Sequence, residues 1–349
     1  MDIRNLEKPA AKSYDDPILG IHREIMALQR HNRFVARAYG TRWSLSESHL
    51  MVELAGRSDL SAQELTHLLN LNKSTISRLI ARLEQSNHIR TCPNPSDRRR
   101  RVLVITSAGA ATLAEMDATA NRLLKSFMDG LALNEQSEFL DLFTAFNDGL
   151  RSPPSIVRPS EHPMRAELRR ISRGTGILGR NFMGSGISST DWQLMGVIDQ
   201  APNPITASEI EGILGTDQST TSKAVGRLSK EGFIKRTLGE QDRRTATLSL
   251  TSAGKSRLAV IEAHACEKYA RPLLMIGKED TWRLLELMIK FVGVSSSAST
   301  ADPALQLKCH RLNGGDDRYQ ARKFFVEHAV KFNHHHNCLL YTSPSPRDS

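Results

Sequence analysis

Cysteine is scarce in this chain. Four occur in 349 residues, at Cys92, Cys266, Cys309 and Cys338, and none forms a C-x-x-C pair. That excludes the usual spacing of a thiolate zinc site, argues against a disulfide framework, and leads us to expect a reducing, cytoplasmic setting. No run of eighteen apolar residues is present, so no membrane-spanning helix is expected. The opening MDIRNLEKPAAKSYDD lacks the apolar core of a secretory leader. Aromatic residues make up 5% and hydrophobic residues 39% of the chain, a balance that suits small helical domains better than one large core. Acidic side chains are also short in number, 38 against 47 Lys and Arg, for a formal net charge of +9. The surplus favours an anionic partner such as nucleic acid.

What the chain does have is a repeat. The text N-K-S-T-I-S-R-L-I-A-R-L-E from Asn72, followed by P-S-D-R-R-R-R-V-L-V-I-T-S-A-G, returns as D-Q-S-T-T-S-K-A-V-G-R-L-S from Asp217, followed by E-Q-D-R-R-T-A-T-L-S-L-T-S-A-G. Aligned without a gap from Ser61/Thr206 to Ala110/Lys255, 17 of 50 positions are identical. Each copy reads as helix, turn, helix and short basic hairpin, the layout of a winged helix-turn-helix.

In the first copy, Asp16-Pro17 is expected to start a helix running to about Tyr39. Ser46 is expected to open the next, and Ser61-Ala62-Gln63-Glu64 has the form of a capping box. From Asn72 the apolar residues Ile76, Leu79, Ile80 and Leu83 recur at helical spacing and should face inward. Lys73, Ser74, Thr75, Ser77, Arg78 and Arg82 are left on the other faces. Short hydroxyls allow close approach to a duplex, and an Arg can reach guanine or phosphate. Residues 88–92 and 102–106 read as two strands. The turn between them carries Arg98, Arg99 and Arg100, with Arg101 behind, a tip slim enough for a minor groove about 6 Å wide. Asp97 is expected to orient one of these arginines. Thr106-Ser107-Ala108-Gly109 then starts a long helix, followed by a second from Asn134, both with apolar stripes suited to helix association.

This set of residues resembles the MarR family of bacterial transcriptional regulators. The resemblance rests on the S-T-I-S-R-L-I-x-R-L-E helix, the D-R-R turn and the L-x-I-T-S-x-G run, and it spans roughly 15–150 and again 163–293. It implies a mainly α fold: two winged helix-turn-helix domains, each with a small β-hairpin wing and flanking association helices. Members of the family are mostly homodimers paired through helices at their chain ends. They bind near-palindromic operators and release them when a small, often aromatic, ligand enters the cleft between the associating and reading parts. The resemblance therefore implies a sequence-specific DNA-binding regulator, a ligand-responsive repressor without catalytic residues, cofactor or metal. Its expected partners are a double-stranded DNA operator and a small aromatic effector. The cleft is expected near Phe34, Arg37, Trp43 and His49, or near Phe182 and Trp192. Oxidant-sensing relatives use a cysteine near the first helix; no cysteine precedes Cys92 here, so thiol sensing is not expected.

The domains are set at 1–150 and 163–294, with a polar, proline-rich connector at 151–162 and residues 295–349 beyond. In the second copy the matching reading-helix candidates are Gln218, Ser219, Thr220, Ser222, Lys223 and Arg227, and the turn retains Arg243 and Arg244. Residues 61–106 carry a net charge of +5 and residues 206–251 a net of +1, so the first copy is expected to supply more of the non-specific affinity. Duplication leaves two arrangements open: an intramolecular pseudo-dimer of the two lobes, or a homodimer with four reading heads. Past the second copy, residues 304–312 read as a strand and 318–332 as a helix. That order resembles the opening of a GNAT-type acyltransferase, which gives an alternative reading as a regulator fused to a truncated N-acetyltransferase. The Gly-rich pyrophosphate loop is absent. His334-His335-His336 are adjacent and do not converge readily on one ion. The run from Cys338 reads as a non-native tail, which implies that the native chain continues differently.

Overall fold

The structure, a computed structural model, describes residues 16–31, 39, 41–57, 59–94, 96–97, 99–159, 161–238 and 246–298. The expected strand at 304–312, the helix at 318–332 and the terminal tail lie outside the described residues, as do Phe34, Arg37, Arg98, Arg243 and Arg244.

The first lobe begins with α1 (Pro17–His31), where Asp16 Oδ1 accepts from the Ile18 backbone N–H. Pro17 at the first helical position lacks the donor that a helix start would leave unpaired. The helix is described to His31; residues 32–38, over which it was expected to continue, lie outside the described residues, and Tyr39 sits at φ +50°, outside helical geometry. Next come α2 (Leu45–Gly56), α3 (Ala62–Leu69) and α4 (Lys73–Gln85). Ser44, not Ser46, caps α2: its hydroxyl accepts from the Glu47 N–H, and the Glu47 carboxylate accepts from the Ser44 N–H. Ser46 instead donates its hydroxyl to the Leu178 carbonyl of the second lobe, at 2.7 Å. The expected capping box at Ser61 and Glu64 is present on α3. Strands β1 (Ile89–Pro93) and β2 (Arg101–Ile105) pair antiparallel from Ile89↔Ile105 to Pro93↔Arg101. Two long helices follow, α5 (Ser107–Met128) and α6 (Leu133–Gly149).

The second lobe repeats the order with α7 (Pro163–Gly174), α8 (Ser189–Gln200), β3 (Ile205–Thr206), α9 (Ala207–Leu214), α10 (Gln218–Lys230), β4 (Ile234–Leu238), β5 (Ala246–Leu250), α11 (Ser252–Ile276) and α12 (Lys278–Ala298). Its sheet has the order β3-β5-β4, with Ile205 opposite Leu248 and Ile234 opposite Leu250. Ser188 caps α8, its side chain accepting from the Asp191 N–H.

Two features position everything else. The first reading unit has its own core, in which Leu50, Leu65, Leu69, Ile76, Leu79 and Leu83 are buried together. The association helices, in contrast, share one core between lobes, and they do so by exchange. Helix α1 of the first lobe packs on α12 of the second, while α6 of the first packs on α7 and α11 of the second. Phe127 and Phe139 each meet Phe291 of α12 with ring centroids 5.1 Å apart, and Phe146 meets Tyr269 of α11 at 5.4 Å. At the rim, Arg283 reaches Glu138 at 2.7 Å and Lys290 reaches Glu135 at 2.7 Å. Such apolar stripes cannot be buried within a single small lobe; pairing the two ends of the duplicated chain buries both sets at once.

The polar, proline-rich connector is packed against the helices. Ser152 and Glu161 are buried, and Arg158 bonds Asp117 of α5 at 2.6 Å. Its polar residues pair with the helices they cross, so it behaves as a packed strap.

Candidate nucleic-acid interface and the cleft beside it

Helix α4 divides its residues as its periodicity requires. Ile76, Leu79 and Leu83 turn inward, whereas Lys73, Ser74, Ser77, Arg78 and Arg82 are exposed and Thr75 is half-buried. Asn72 caps it, its side chain accepting from the Thr75 N–H at 2.8 Å. Arg78 folds back along its own helix, donating to the Ser74 carbonyl at 3.2 Å and the Thr75 hydroxyl at 3.3 Å. These are weak, exposed bonds that a phosphate or base edge could replace. Arg82 lies 3.4 Å from Glu47 of α2, a contact that ties the reading helix to the helix behind it.

Helix α10 repeats the pattern. Gln218, Ser219, Ser222 and Lys223 are exposed, and Thr220 and Arg227 are half-buried. Asp217 caps it through the Thr220 N–H. Arg227 pairs with Asp191 of α8 at 2.6 Å, as Arg82 does with Glu47. Thr221 occupies the place of Ile76 and points inward, sharing a 2.7 Å hydrogen bond with Thr216.

Of the wing candidates, Arg99 and Arg100 are exposed. The Asp97 carboxylate accepts from the Arg99 backbone N–H at 3.0 Å and so shapes the turn. Arg100 leans toward Glu64 of α3 at 3.4 Å. Arg101 donates to the Thr91 carbonyl and stiffens the hairpin. The structure adds exposed basic residues on the paired strands that the motif reading passed over, Arg90 on β1 and Lys235 and Arg236 on β4. Strand alternation beside the buried Ile89 and Ile234 was the signal available for Arg90 and Lys235, whereas Arg236 is exposed because β4 buries only Ile234.

Each wing is locked to the long helix behind it in the same way. The Thr106 N–H bonds the His88 carbonyl, and the Thr106 hydroxyl donates to the Asn87 carbonyl; Thr251 does the same with Phe233 and Gly232. A Cβ on Gly109 would fall 2.1 Å from the His88 carbonyl oxygen, and one on Gly254 would fall 2.1 Å from that of Phe233. The repeated T-S-A-G is therefore a close backbone approach that fixes the wing against its helix.

A MarR family model matches residues 43–100, and a second family model with the same description matches residues 185–245. The chain is a MarR-family regulator with two tandem domains. Among curated proteins, the MarR-type chain is 27% identical over 103 residues to the uncharacterized HTH-type transcriptional regulator YdgG of Bacillus subtilis (strain 168), an alignment covering 29% of this chain and 68% of that protein. Among solved structures, it is similar to a probable transcriptional regulator from Pseudomonas aeruginosa (24% identity, 32% of this chain and 84% of that chain, TM-score 0.27). It is also similar to the PcaV transcriptional regulator from Streptomyces coelicolor (22% identity, 37% and 96%, TM-score 0.32). Among the described residues of the MarR-type chain, no helix is long and apolar enough to cross a membrane, and no cluster of His, Cys, Asp or Glu could hold a metal ion.

Beside the first reading unit lies a cleft of about 30 Å³ between α2, α5 and α7. Its first-lobe wall includes Tyr39, Ser48, His49 and Met116; its second-lobe wall is Arg165, Leu168, Arg169 and Ser172. His49, expected near a ligand cleft, lines this one. The arginines were not expected here, although Arg165, Arg169 and Arg173 stand four apart and so share one face of α7. They feed a buried ionic cluster: Arg165 bonds Asp117 at 2.8 Å and Asn121 at 2.9 Å, Arg169 pairs with Glu161, and Arg173 pairs with Glu53 at 2.6 Å. With Arg57 and Arg158 also present, arginines outnumber the carboxylates Glu53, Asp117 and Glu161. Burial, with Arg173 and Arg169 beside it, drives the His49 imidazole well below its ordinary pKa and keeps it neutral. Burial likewise pushes the Tyr39 phenol up to about 12. Trp43, also expected near a ligand, instead donates from its indole to His88 at 3.3 Å and belongs to the reading unit's core.

Proposed function

We propose that this chain is a ligand-responsive repressor that grips one double-stranded operator with both lobes as an intramolecular pseudo-dimer. The observation that carries the reading is the repetition of one exposed face. Lys73, Ser74, Ser77 and Arg78 on α4 recur as Gln218, Ser219, Ser222 and Lys223 on α10, each set beside a basic hairpin. Hydroxyls, with Lys73 and Arg78 on α4 and Lys223 on α10, approach base edges and phosphates, Arg82 and Arg227 hold the helices on their scaffold, and Arg98, Arg99, Arg100, Arg243 and Arg244 supply wing charge. The exchange of α1 and α7 between lobes supports the pseudo-dimer, because the surfaces that relatives use to pair two chains are here buried within one.

The same geometry supports control by a ligand. The cleft is cationic, buried and lined with Met116 and Leu168, so it suits a small anion with an apolar, aromatic body. At about 30 Å³ it holds little more than a pair of waters, so such an occupant must wedge α2 and α5 away from α7. A ligand that binds only the widened state shifts the population toward it and moves the first reading head relative to the second.

Selection of bound sites from random double-stranded DNA, at a stated low salt concentration, tests this function. An enriched site with two unequal half-sites is expected, with complexes that weaken when benzoate is added. Failure to retard any duplex at low ionic strength overturns the reading.

A further inference from the structure

The two lobes are copies, but their clefts are not. Ser44 and Ser188 cap the corresponding helices α2 and α8, so Ser48 corresponds to Trp192 and Glu53 to Val197. Pro17 and Pro163 both open the exchanged helices α1 and α7. Arg165 therefore corresponds to Leu19, Leu168 to His22, Ser172 to Met26 and Arg173 to Ala27. At every one of these positions the second cleft replaces a small or charged residue by a larger or apolar one, or a leucine by an imidazole.

The replacements meet in space. Trp192 of α8 and His22 of α1 contact edge to face with centroids 5.2 Å apart. Phe182 lies 5.3 Å from Trp192, and Tyr269 of α11 lies 5.8 Å from His22. All four side chains are buried. The rings occupy the junction of α1, α8 and α11, which is the counterpart of the first cleft's junction of α7, α2 and α5. The Trp192 indole nitrogen and the Tyr269 hydroxyl find no hydrogen-bond partner among the described residues, so ring packing holds the cluster.

We infer that the pseudo-dimer has one effector site per chain, the first cleft, and that the second is closed by the plug of His22, Phe182, Trp192 and Tyr269. The inference rests on the ligand-responsive reading and adds to it a stoichiometry and a direction. The site is composite, because its arginines Arg165 and Arg169 come from the second lobe while Ser48, His49 and Met116 come from the first. Ligand entry therefore displaces only the first reading head. The second stays fixed to the association core by its aromatic plug, so one ligand suffices to break the spacing of the pair.

Calorimetric titration of the full chain with benzoate is expected to give one site per chain. Crystals grown with 4-bromobenzoate are expected to show one bromine, between α2, α5 and α7. Two sites, or bromine among the rings of the second cleft, overturns the single-site inference and leaves ligand control standing. No binding by either method overturns ligand control itself, and the inference with it. Two variants give the first cleft the residues of the second: Ser48→Trp and Ser172→Met. Each is expected to weaken benzoate binding at least tenfold while duplex retardation and far-ultraviolet circular dichroism stay unchanged. Two substitutions on different helices keep the test open if one perturbs folding, and unchanged benzoate affinity in a folded variant overturns the inference.

Discussion

Glu53 of α2 and Arg173 of α7 meet at 2.6 Å with neither side chain exposed to solvent, and they belong to different copies of the repeat. The Arg173 guanidinium also donates to the Pro154 carbonyl of the connector, and Arg57 reaches the far oxygen of Glu53 at 3.0 Å. The pair thus ties reading unit, connector and the other lobe's association helix at one point. By the same correspondence, Ala27 and Val197 stand at these two positions in the second lobe.

That asymmetry sets up the first prediction. Removing one member of a buried ion pair leaves the other charged and unpaired, which costs about 3–5 kcal/mol. Glu53→Val, which strands the buried Arg173 guanidinium without its carboxylate, should therefore lower the urea midpoint strongly. Replacing both residues by those of the second lobe, Glu53→Val with Arg173→Ala, should recover a large part of the loss, because apolar residues already stand at the matched positions. A double variant as unstable as the single one would contradict this account.

A second prediction concerns the reading face. Arg78→Ala should flatten base preference in a site-selection experiment, since its present bonds run only to its own helix. Arg99→Ala should instead weaken all sites evenly and reduce the slope of log affinity against log salt by roughly one. Equal loss of preference from both substitutions would show that the helix and the wing do not divide the work in this way.

The wing lock gives a third. Gly109→Ala forces a methyl group against the His88 carbonyl, a backbone atom that cannot rotate away. Overpacking of this kind costs about 1–3 kcal/mol. Faster amide exchange in residues 88–92 and 101–105 is expected, together with weaker DNA retardation. Gly254→Ala should do the same to the second wing, where the clearance is equal.

Acidity provides a fourth. His49 is buried against Arg169 and Arg173 of α7, and its folded pKa lies well below the unfolded value of 6.5. The unfolded chain therefore takes up a proton that the folded chain refuses. Stability is full above about pH 6.5 and falls as pH drops below it, by up to about 1.4 kcal/mol per unit from this one group. His162, whose pKa burial also lowers, acts in the same direction. Thermal melts between pH 7 and pH 5 should slope downward, and His49→Gln should flatten the slope. An unchanged slope would assign the acid sensitivity elsewhere.

The exchanged helices give the fifth. With the pairing surfaces consumed within one chain, light scattering should report the mass of a single chain, 38.9 kDa, across the micromolar range. A stable mass twice that value would mean that a further surface pairs two chains.

Much of this was written in the order of residues. The repeat, the inward face of α4, the capping box at Ser61 and the two-strand wing all follow from local periodicity and hydrogen-bonding chemistry, which act over three or four residues and leave their spacing in the text. Even the Gly of T-S-A-G was visible twice, although the carbonyl that forbids a side chain there was not. Other features needed the folded chain. Ser46 was expected to be a cap because it is a serine near a helix start, yet the neighbouring Ser44 had the Glu three residues on, and Ser46 was claimed by Leu178 of the other lobe. The connector was legible only as polar and proline-rich; the burial of Glu161 among Arg158, Arg165 and Arg169 came from packing. Which lobe keeps an open cleft was decided by Ser48 against Trp192 and Leu168 against His22, residues that come together only because α1 and α7 change places. Sequence fixes what each short segment can do alone, whereas the partner of a buried charge or ring is set by helices that are remote in the chain and adjacent only after packing.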